Sequence, residues 1–137
     1  MTAHIAAINP PTLEKPLGYA HGIEVKSGRL VVLAGQVARD KNGHMMGKGD
    51  LVAQFRQVCE NLRDIVTAAG GRLTDVVKLN IYVVDVEGYK RAQEPIGRIY
   101  REYFGKHFPA MTLVGVRELY VSSEGGLIEI EGLAVLA

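Results

Sequence analysis

The sequence of 137 residues predicts an α+β fold with about six strands and two helices. Runs rich in β-branched residues recur near both ends and in the middle of the chain, as is typical of strands. Two other stretches carry apolar residues at intervals of three and four, as is typical of amphipathic helices. With 47% hydrophobic and 23% charged residues, the composition predicts one ordinary folded domain over residues 1–137.

The first predicted strands lie in segment 23–35, IEVKSGRLVVLAG. Its two apolar runs are separated by Ser27-Gly28, and this pattern predicts a β-hairpin. The polar, glycine-containing segment 39–50, RDKNGHMMGKGD, predicts a loop. We expect Asp50 to cap the helix that follows, because a side-chain oxygen at that position accepts from a free N–H of the first turn.

The first helix is predicted from Leu51 to the stop signal Gly70-Gly71. The second is predicted within Gly88 to Phe104, with Pro95 near a local start, because proline is tolerated only in the first turn of a helix. Three further strands are predicted in segments 76–84, 111–119 and 127–136, which read VVKLNIYVV, MTLVGVREL and LIEIEGLAVL.

Two helices can cover only one face of the predicted sheet. The strands place apolar side chains on both faces, so the second face would be an exposed apolar patch. We therefore expect another subunit to pack on it. The alternative, that long loops of the same chain cover this face, stays open.

The balance of charges restricts the class of partner, and the single cysteine and the lack of long apolar runs bear on location. The 16 basic and 15 acidic residues are interspersed, so no nucleic-acid or anionic-membrane footprint is predicted, and a neutral small molecule or a protein is the expected partner. No leader-like segment opens the chain and no apolar run approaches the ~20 residues of a membrane span. A cytoplasmic location is predicted, with Cys59 as a buried thiol rather than a catalytic one.

One pair of carboxylates in the last predicted strand is a candidate for acid–base chemistry. The four histidines are not spaced as zinc ligands, and neither a phosphate-binding loop nor a G-x-S-x-G motif is present, so no metal or cofactor is predicted. By alternation, Glu129 and Glu131 share one side of the last strand, about 7 Å apart. Either that side is solvated, or one acid points into a cleft and handles protons on a water molecule.

Several segments together resemble the RidA or YjgF-like family, whose members have been called translation initiation inhibitors and enamine/imine deaminases. These segments are Gly18-Tyr19, Ala34 to Gln36, Gln54 to Gly71, Val76 to Asp85, YREYF, FPAMTLVGV and LIEIEGLAV. The resemblance runs nearly end to end. It implies a chorismate-mutase-like or YjgF-like fold, a six-stranded mixed sheet with two helices on one face. It also implies a homotrimer whose sheets form a barrel with ligand clefts between subunits.

The resemblance also implies a reaction. In deaminating members an arginine directly after the FPA turn binds the substrate carboxylate, and a glutamate positions the water that hydrolyses a 2-imino acid to a 2-keto acid and ammonia, without metal or cofactor. Glu129 matches this glutamate and Tyr19 matches the cleft tyrosine, whereas Met111 stands at the position of the arginine. Ala34 and Gly97 stand where the family often has a serine and an asparagine.

The implied cleft is therefore more apolar than that of the deaminating members. A guanidinium offers two donors to a carboxylate, whereas the thioether of Met111 offers none. Because a charge-assisted hydrogen bond contributes about 1.5 to 3 kcal/mol, we expect poor use of small 2-imino acids.

Two hypotheses on function stay open. The first is a hydrolase in which Glu129, rather than Glu131, positions water in the cleft. Its substrate is neutral or larger and rests on Met111 and Leu113, and Tyr19 and His21 shape the entrance. The second is a non-catalytic, ligand-binding or regulatory trimer. RNA cleavage or translation inhibition is disfavoured by the near-neutral charge.

Overall fold

The computed structural model describes residues 3–137 and contains six strands and three α-helices within them. The strands are β1 Ile5–Ile8, β2 Gly22–Val25, β3 Arg29–Gln36, β4 Val76–Val83, β5 Ala110–Gly115 and β6 Ile128–Leu136. The helices are α1 Leu51–Ala68, α2 Val86–Arg91 and α3 Gln93–Phe104. None of these helices is long and apolar enough to cross a membrane.

The strands form two sheets. β1 and β2 pair antiparallel, and the other four strands form a mixed sheet in the order β3-β6-β4-β5, in which only β4 and β5 run parallel. One hydrophobic core joins the four-stranded sheet to the helices: Phe55, Val58 and Leu62 of α1 are buried together with Ile128 and Ile130 of β6. The predicted α+β class with a mixed sheet is confirmed, although the six strands are divided four and two.

The predicted hairpin in segment 23–35 is wrong, because β2 pairs with β1 and not with β3. The chain crosses between the sheets at Gly28, whose φ of +124° favours glycine. A Cβ at this position would also collide with the carbonyl oxygen of Leu136. The sequence predicts no strand at β1, because two of its four residues are alanines, which are depleted in strands.

The first helix is confirmed, and Asp50 caps it by accepting a hydrogen bond from the Ala53 N–H at 3.1 Å. The second predicted helix is divided into α2 and α3, which meet at Ala92. Asp85 caps α2 by accepting from the Gly88 N–H at 3.0 Å. Pro95 lies in the first turn of α3, as the sequence predicts.

The face of the four-stranded sheet that points away from the helices is called the open face here. It carries the side chains of Leu30, Val32, Lys78, Asn80, Tyr82, Thr112, Val114, Glu129, Glu131 and Leu133. Its most exposed apolar side chains lie on the two edge strands, where Leu30 is 63% exposed, Val32 70% and Val114 42%. Loops within residues 3–137 therefore do not cover these three side chains. This exposure favours packing of another subunit on the open face over coverage by loops of the same chain.

Candidate functional site

A cavity of about 570 Å³ lies between the helices and the helix-facing side of the four-stranded sheet. It is lined by Leu17, Gly18, Tyr19, Phe55, Cys59, Leu62, Leu79, Ile81, Tyr89, Gln93, Ile96, Gly97, Tyr100, Arg101, Phe104, Phe108, Met111, Leu113 and Ile130. Four of the predicted substrate-binding residues, Tyr19, Gly97, Met111 and Leu113, are among them. Its size falls in the range of small-molecule sites, and most of its wall is apolar.

Strand register explains why Met111 and Leu113 reach this cavity. Met111 pairs with Leu79 and Leu113 pairs with Ile81 across the parallel strands β4 and β5. Because Leu79 and Ile81 are buried beneath the helices, their partners on β5 share the helix-facing side. Met111 is therefore half-buried against the core and is not exposed on the open face.

Tyr19 reaches the cavity on a loop that is tied to the start of β5. The N–H of Ala20 donates to the carbonyl oxygen of Pro109 at 3.0 Å, and Pro109 itself is fully buried. The ring of His21 packs edge-on against Tyr19, with 5.3 Å between the ring centroids. A ring nitrogen of His21 lies 2.8 Å from the carbonyl oxygen of Glu14. His21 does not line the cavity, so its contact supports Tyr19.

An aromatic wall closes one side of the cavity. The Tyr100 ring is stacked on Phe104 at 4.5 Å and on Phe108 at 5.4 Å, and its hydroxyl donates to the carbonyl oxygen of His107 at 2.5 Å. Burial raises the pKa of Tyr100, and it raises the pKa of Tyr89 to about 12. Both phenols are therefore neutral near pH 7. In the sequence, the four-residue spacing of Tyr100 and Phe104 along α3 indicates that these two rings share one face of the helix.

Cys59 is 1% exposed, which confirms the predicted buried thiol. Burial raises its pKa to about 12, so the thiolate that a nucleophilic cysteine needs is not formed near neutral pH. Within residues 3–137, no group of three or more His, Cys, Asp or Glu side chains is arranged to hold a metal ion.

Glu129 lies on the open face, where it pairs with Tyr82 of β4. The register of β3 shifts between Leu33 and Gln36, which brings Ala34 and Gly35 beside this part of β6. A Cβ on Gly35 would collide with the Glu129 carboxylate, so the missing side chain at position 35 makes room for it. Gly35 thus lies beside the Glu129 carboxylate, and neither Ala34 nor Gly35 lines the cavity.

The two acids of β6 have different surroundings. The amide nitrogen of Asn80 lies 3.4 Å from a carboxylate oxygen of Glu131. The pKa of Tyr82 is raised by partial burial and then by its hydrogen bond to Glu131. Within residues 3–137 no group donates a hydrogen bond to the Glu129 carboxylate, which leaves its oxygens available to water. Both acids lie on the same face, as alternation predicts.

The predicted site residues therefore form two groups in one chain. Tyr19, Gly97, Met111 and Leu113 line the cavity, whereas Glu129 lies on the opposite face of the same sheet. Ala34 lies at the irregular end of β3 and does not line the cavity. A sheet separates the two groups, so a cleft that holds both of them has to combine two subunits. Alternation within β5 and β6 could not reveal this, because it does not relate the faces of two strands until their register is known.

Comparison with known proteins identifies the family to which this chain belongs. The sequence profile of the family described as Endoribonuclease L-PSP matches residues 12–136. The chain belongs to this family, which is the RidA or YjgF family. Similar proteins include a RutC family protein of Pyrococcus horikoshii, which is 38% identical over 88% of this chain and 89% of its own length. A protein of Dermatophagoides farinae named 2-iminobutanoate/2-iminopropanoate deaminase is 30% identical over 94% of both chains.

Solved structures of RidA-family proteins share the fold. YyfB of Yersinia pestis, a member of the conserved Rid protein family, superimposes with a TM-score of 0.87 at 37% identity, over 98% of this chain and all of its own. These matches confirm the RidA-family membership and the α+β fold that the sequence segments predict. The mixed sheet and the few helices described above are those of the RidA family.

Proposed function

We propose that this RidA-family protein forms a homotrimer and binds a small metabolite in clefts between its subunits. The observation that carries the proposal is the cavity of about 570 Å³ at the positions where the resemblance expects the substrate. One subunit supplies this cavity with Met111 and Leu113, and a neighbouring subunit supplies Glu129 from its open face. The exposed apolar edges of that face give the subunits a surface on which to associate.

The reaction proposed for this cleft is hydrolysis of a C=N bond without a cofactor. Glu129 accepts a proton from water as the water attacks the imine carbon and a carbinolamine forms. The proton taken up by Glu129 passes to the nitrogen, and the C–N bond breaks as the C=O bond forms, which releases ammonia and the carbonyl product. Gly35 leaves space for the carboxylate beside β3. The apolar cavity favours a substrate that is larger than a 2-iminopropanoate, or neutral, over the small acids for which an arginine at position 111 is suited.

A second candidate function is ligand binding without catalysis. The observation that favours it is Met111, which removes the donor that the deaminating members use to hold a substrate carboxylate. In this case the cavity and the trimer are retained and the chemistry is lost.

Hydrolysis of imines formed in situ by an amino-acid oxidase separates the two functions. Alanine, leucine and phenylalanine supply imines of increasing size, and imine decay is followed by trapping with semicarbazide. We expect the wild type to accelerate decay of the larger imines and Glu129→Gln to lower the rate about 100-fold or more, since general acid–base catalysis contributes about that much.

Glu131→Gln is the matched control, because it removes the neighbouring carboxylate from the same face. It should keep most of the rate. Equal rates for Glu129→Gln and the wild type would exclude the role of Glu129. No acceleration by the wild type with any of the three imines would favour the binding function.

A further inference from the structure

The cavity wall contains one charged residue. Arg101 of α3 is the single Lys, Arg, His, Asp or Glu among the residues that line the cavity. Five other arginines of the chain form ion pairs with carboxylates, namely Arg39, Arg56, Arg63, Arg91 and Arg98. Four arginines, Arg29, Arg72, Arg101 and Arg117, form no ion pair with a carboxylate in residues 3–137, and Arg101 is the one of these four that lines the cavity. A guanidinium beside an apolar cavity, without an acidic partner, is suited to a bound anion.

Gly97 is linked to this arrangement. Position 97 lies one turn before Arg101 on α3, and a Cβ built there would lie 3.5 Å from a terminal guanidinium nitrogen of Arg101. That is an ordinary contact distance, so any side chain longer than alanine would compete with the guanidinium for space. The glycine therefore leaves the guanidinium free to lie over the helix at the cavity.

We propose that Arg101 binds the acidic group of an amphipathic ligand whose apolar body occupies the cavity. This inference rests on the proposed function, in that the cavity is the ligand site, and it names the ligand class. The ligand is an organic acid with an apolar or aromatic body, which Met111 and Tyr100 contact while the carboxylate lies at α3. The guanidinium that binds the carboxylate thus belongs to Arg101 on α3 and not to a residue at position 111 on β5.

Two probes with the same apolar body, one with a charged and one with a neutral head group, test the proposal. 3-Phenylpropanoate and its neutral amide, 3-phenylpropanamide, carry the same apolar body, and calorimetry on the full-length protein gives the Kd of each. We expect the wild type to bind the acid about tenfold or more tightly than the amide, the ratio that one charge-assisted hydrogen bond supplies. Arg101→Gln should remove this preference and leave the affinity for the amide unchanged.

Arg98→Gln is the matched control, since Arg98 lies on the same helix and its guanidinium pairs with Glu94 at 2.9 Å outside the cavity. It should keep the preference for the acid. Circular dichroism of both variants checks that they are folded.

Equal affinity of the wild type for acid and amide would overturn the proposal. Binding of neither probe at millimolar concentration, or an acid preference that survives in Arg101→Gln, would also overturn it. Because binding is measured without turnover, an acid preference that depends on Arg101 in a protein that hydrolyses no imine would count against the proposed hydrolysis alone.

Discussion

At the scale of single residues, Met111 stands where the resemblance expects the arginine of the deaminating members. Its side chain is directed into the cavity by register with Leu79, so an arginine placed there would point into the same space. The guanidinium would be half-buried, and desolvation would offset part of its interaction with a carboxylate. An arginine at position 111 would nevertheless place its charge inside the cavity, within reach of a bound carboxylate.

We expect Met111→Arg to raise the hydrolysis rate for 2-iminopropanoate, which the wild type should hydrolyse poorly. The restored charge-assisted hydrogen bond contributes about 1.5 to 3 kcal/mol, and the gain should lie at the lower end, about tenfold, because Ala34 and Gly97 also depart from the family pattern. The rate of imine decay measures it. Met111→Gln, polar but uncharged, should give no comparable gain. A wild type as fast as an arginine-bearing member would show that Met111 is no barrier.

At the scale of the elements, Gln54 joins the first helix to the strand that carries Glu129. Its side chain is fully buried and forms hydrogen bonds with three backbone groups: it donates to Gly47 O at 2.9 Å and Gly125 O at 2.7 Å, and it accepts from Leu127 N–H at 2.8 Å. The side chain thus fixes two loops and the entry to β6. Loss of these bonds would leave buried backbone groups unpaired.

We expect Gln54→Leu to lower the free energy of unfolding by about 2 to 3 kcal/mol, because leucine fills the space and satisfies none of the three groups. Urea unfolding followed by circular dichroism measures the change. Gln57→Leu, one turn away, removes a single side-chain bond to Asn61 at 2.9 Å and should change stability by less than about 0.5 kcal/mol. Equal effects of the two substitutions would contradict the role of Gln54.

The elements also show how far the sequence predicts this molecule. Periodicity predicts α1, β4 and β6 closely, because each buries one side against a single core. It does not predict that β2 pairs with β1, since pairing partners are not encoded in alternation. Periodicity does not predict the buried hydrogen bonds of Gln54, because Gln54 is a polar residue within the apolar stripe of α1. It does not predict the place of Arg101 at the cavity either, because an exposed arginine on a helix has no distinctive pattern.

At the scale of the whole molecule, a single site that uses both groups of site residues would need more than one chain, because the two groups lie on opposite faces of one sheet. The sequence predicts the types of residue at the site, and the resemblance assigns them roles. Neither shows that Glu129 and the cavity lie on opposite faces of one sheet, because that depends on the register of β4 with both of its neighbours. Assembly is therefore the step on which the proposed catalytic site depends.

We expect the protein to be a trimer in solution, with a mass about three times the 14.9 kDa of one chain by light scattering. Val32, which is 70% exposed on an edge strand of the open face, provides the test. Val32→Lys should shift the mass toward that of the monomer, because a charge buried at an apolar interface without a partner is costly. Thr67→Lys places the same charge on the exposed surface of α1 and should leave the mass unchanged.

The assembly variants also test the catalytic site. If Glu129 and the cavity belong to different subunits, Val32→Lys should lose imine hydrolysis together with the trimer, since no single chain holds both groups on one face of its sheet. A wild-type monomer at micromolar concentration, or a monomeric variant with full hydrolysis, would show that Glu129 does not act with this cavity. The water for hydrolysis would then have to be positioned by a residue on the helix-facing side of the sheet.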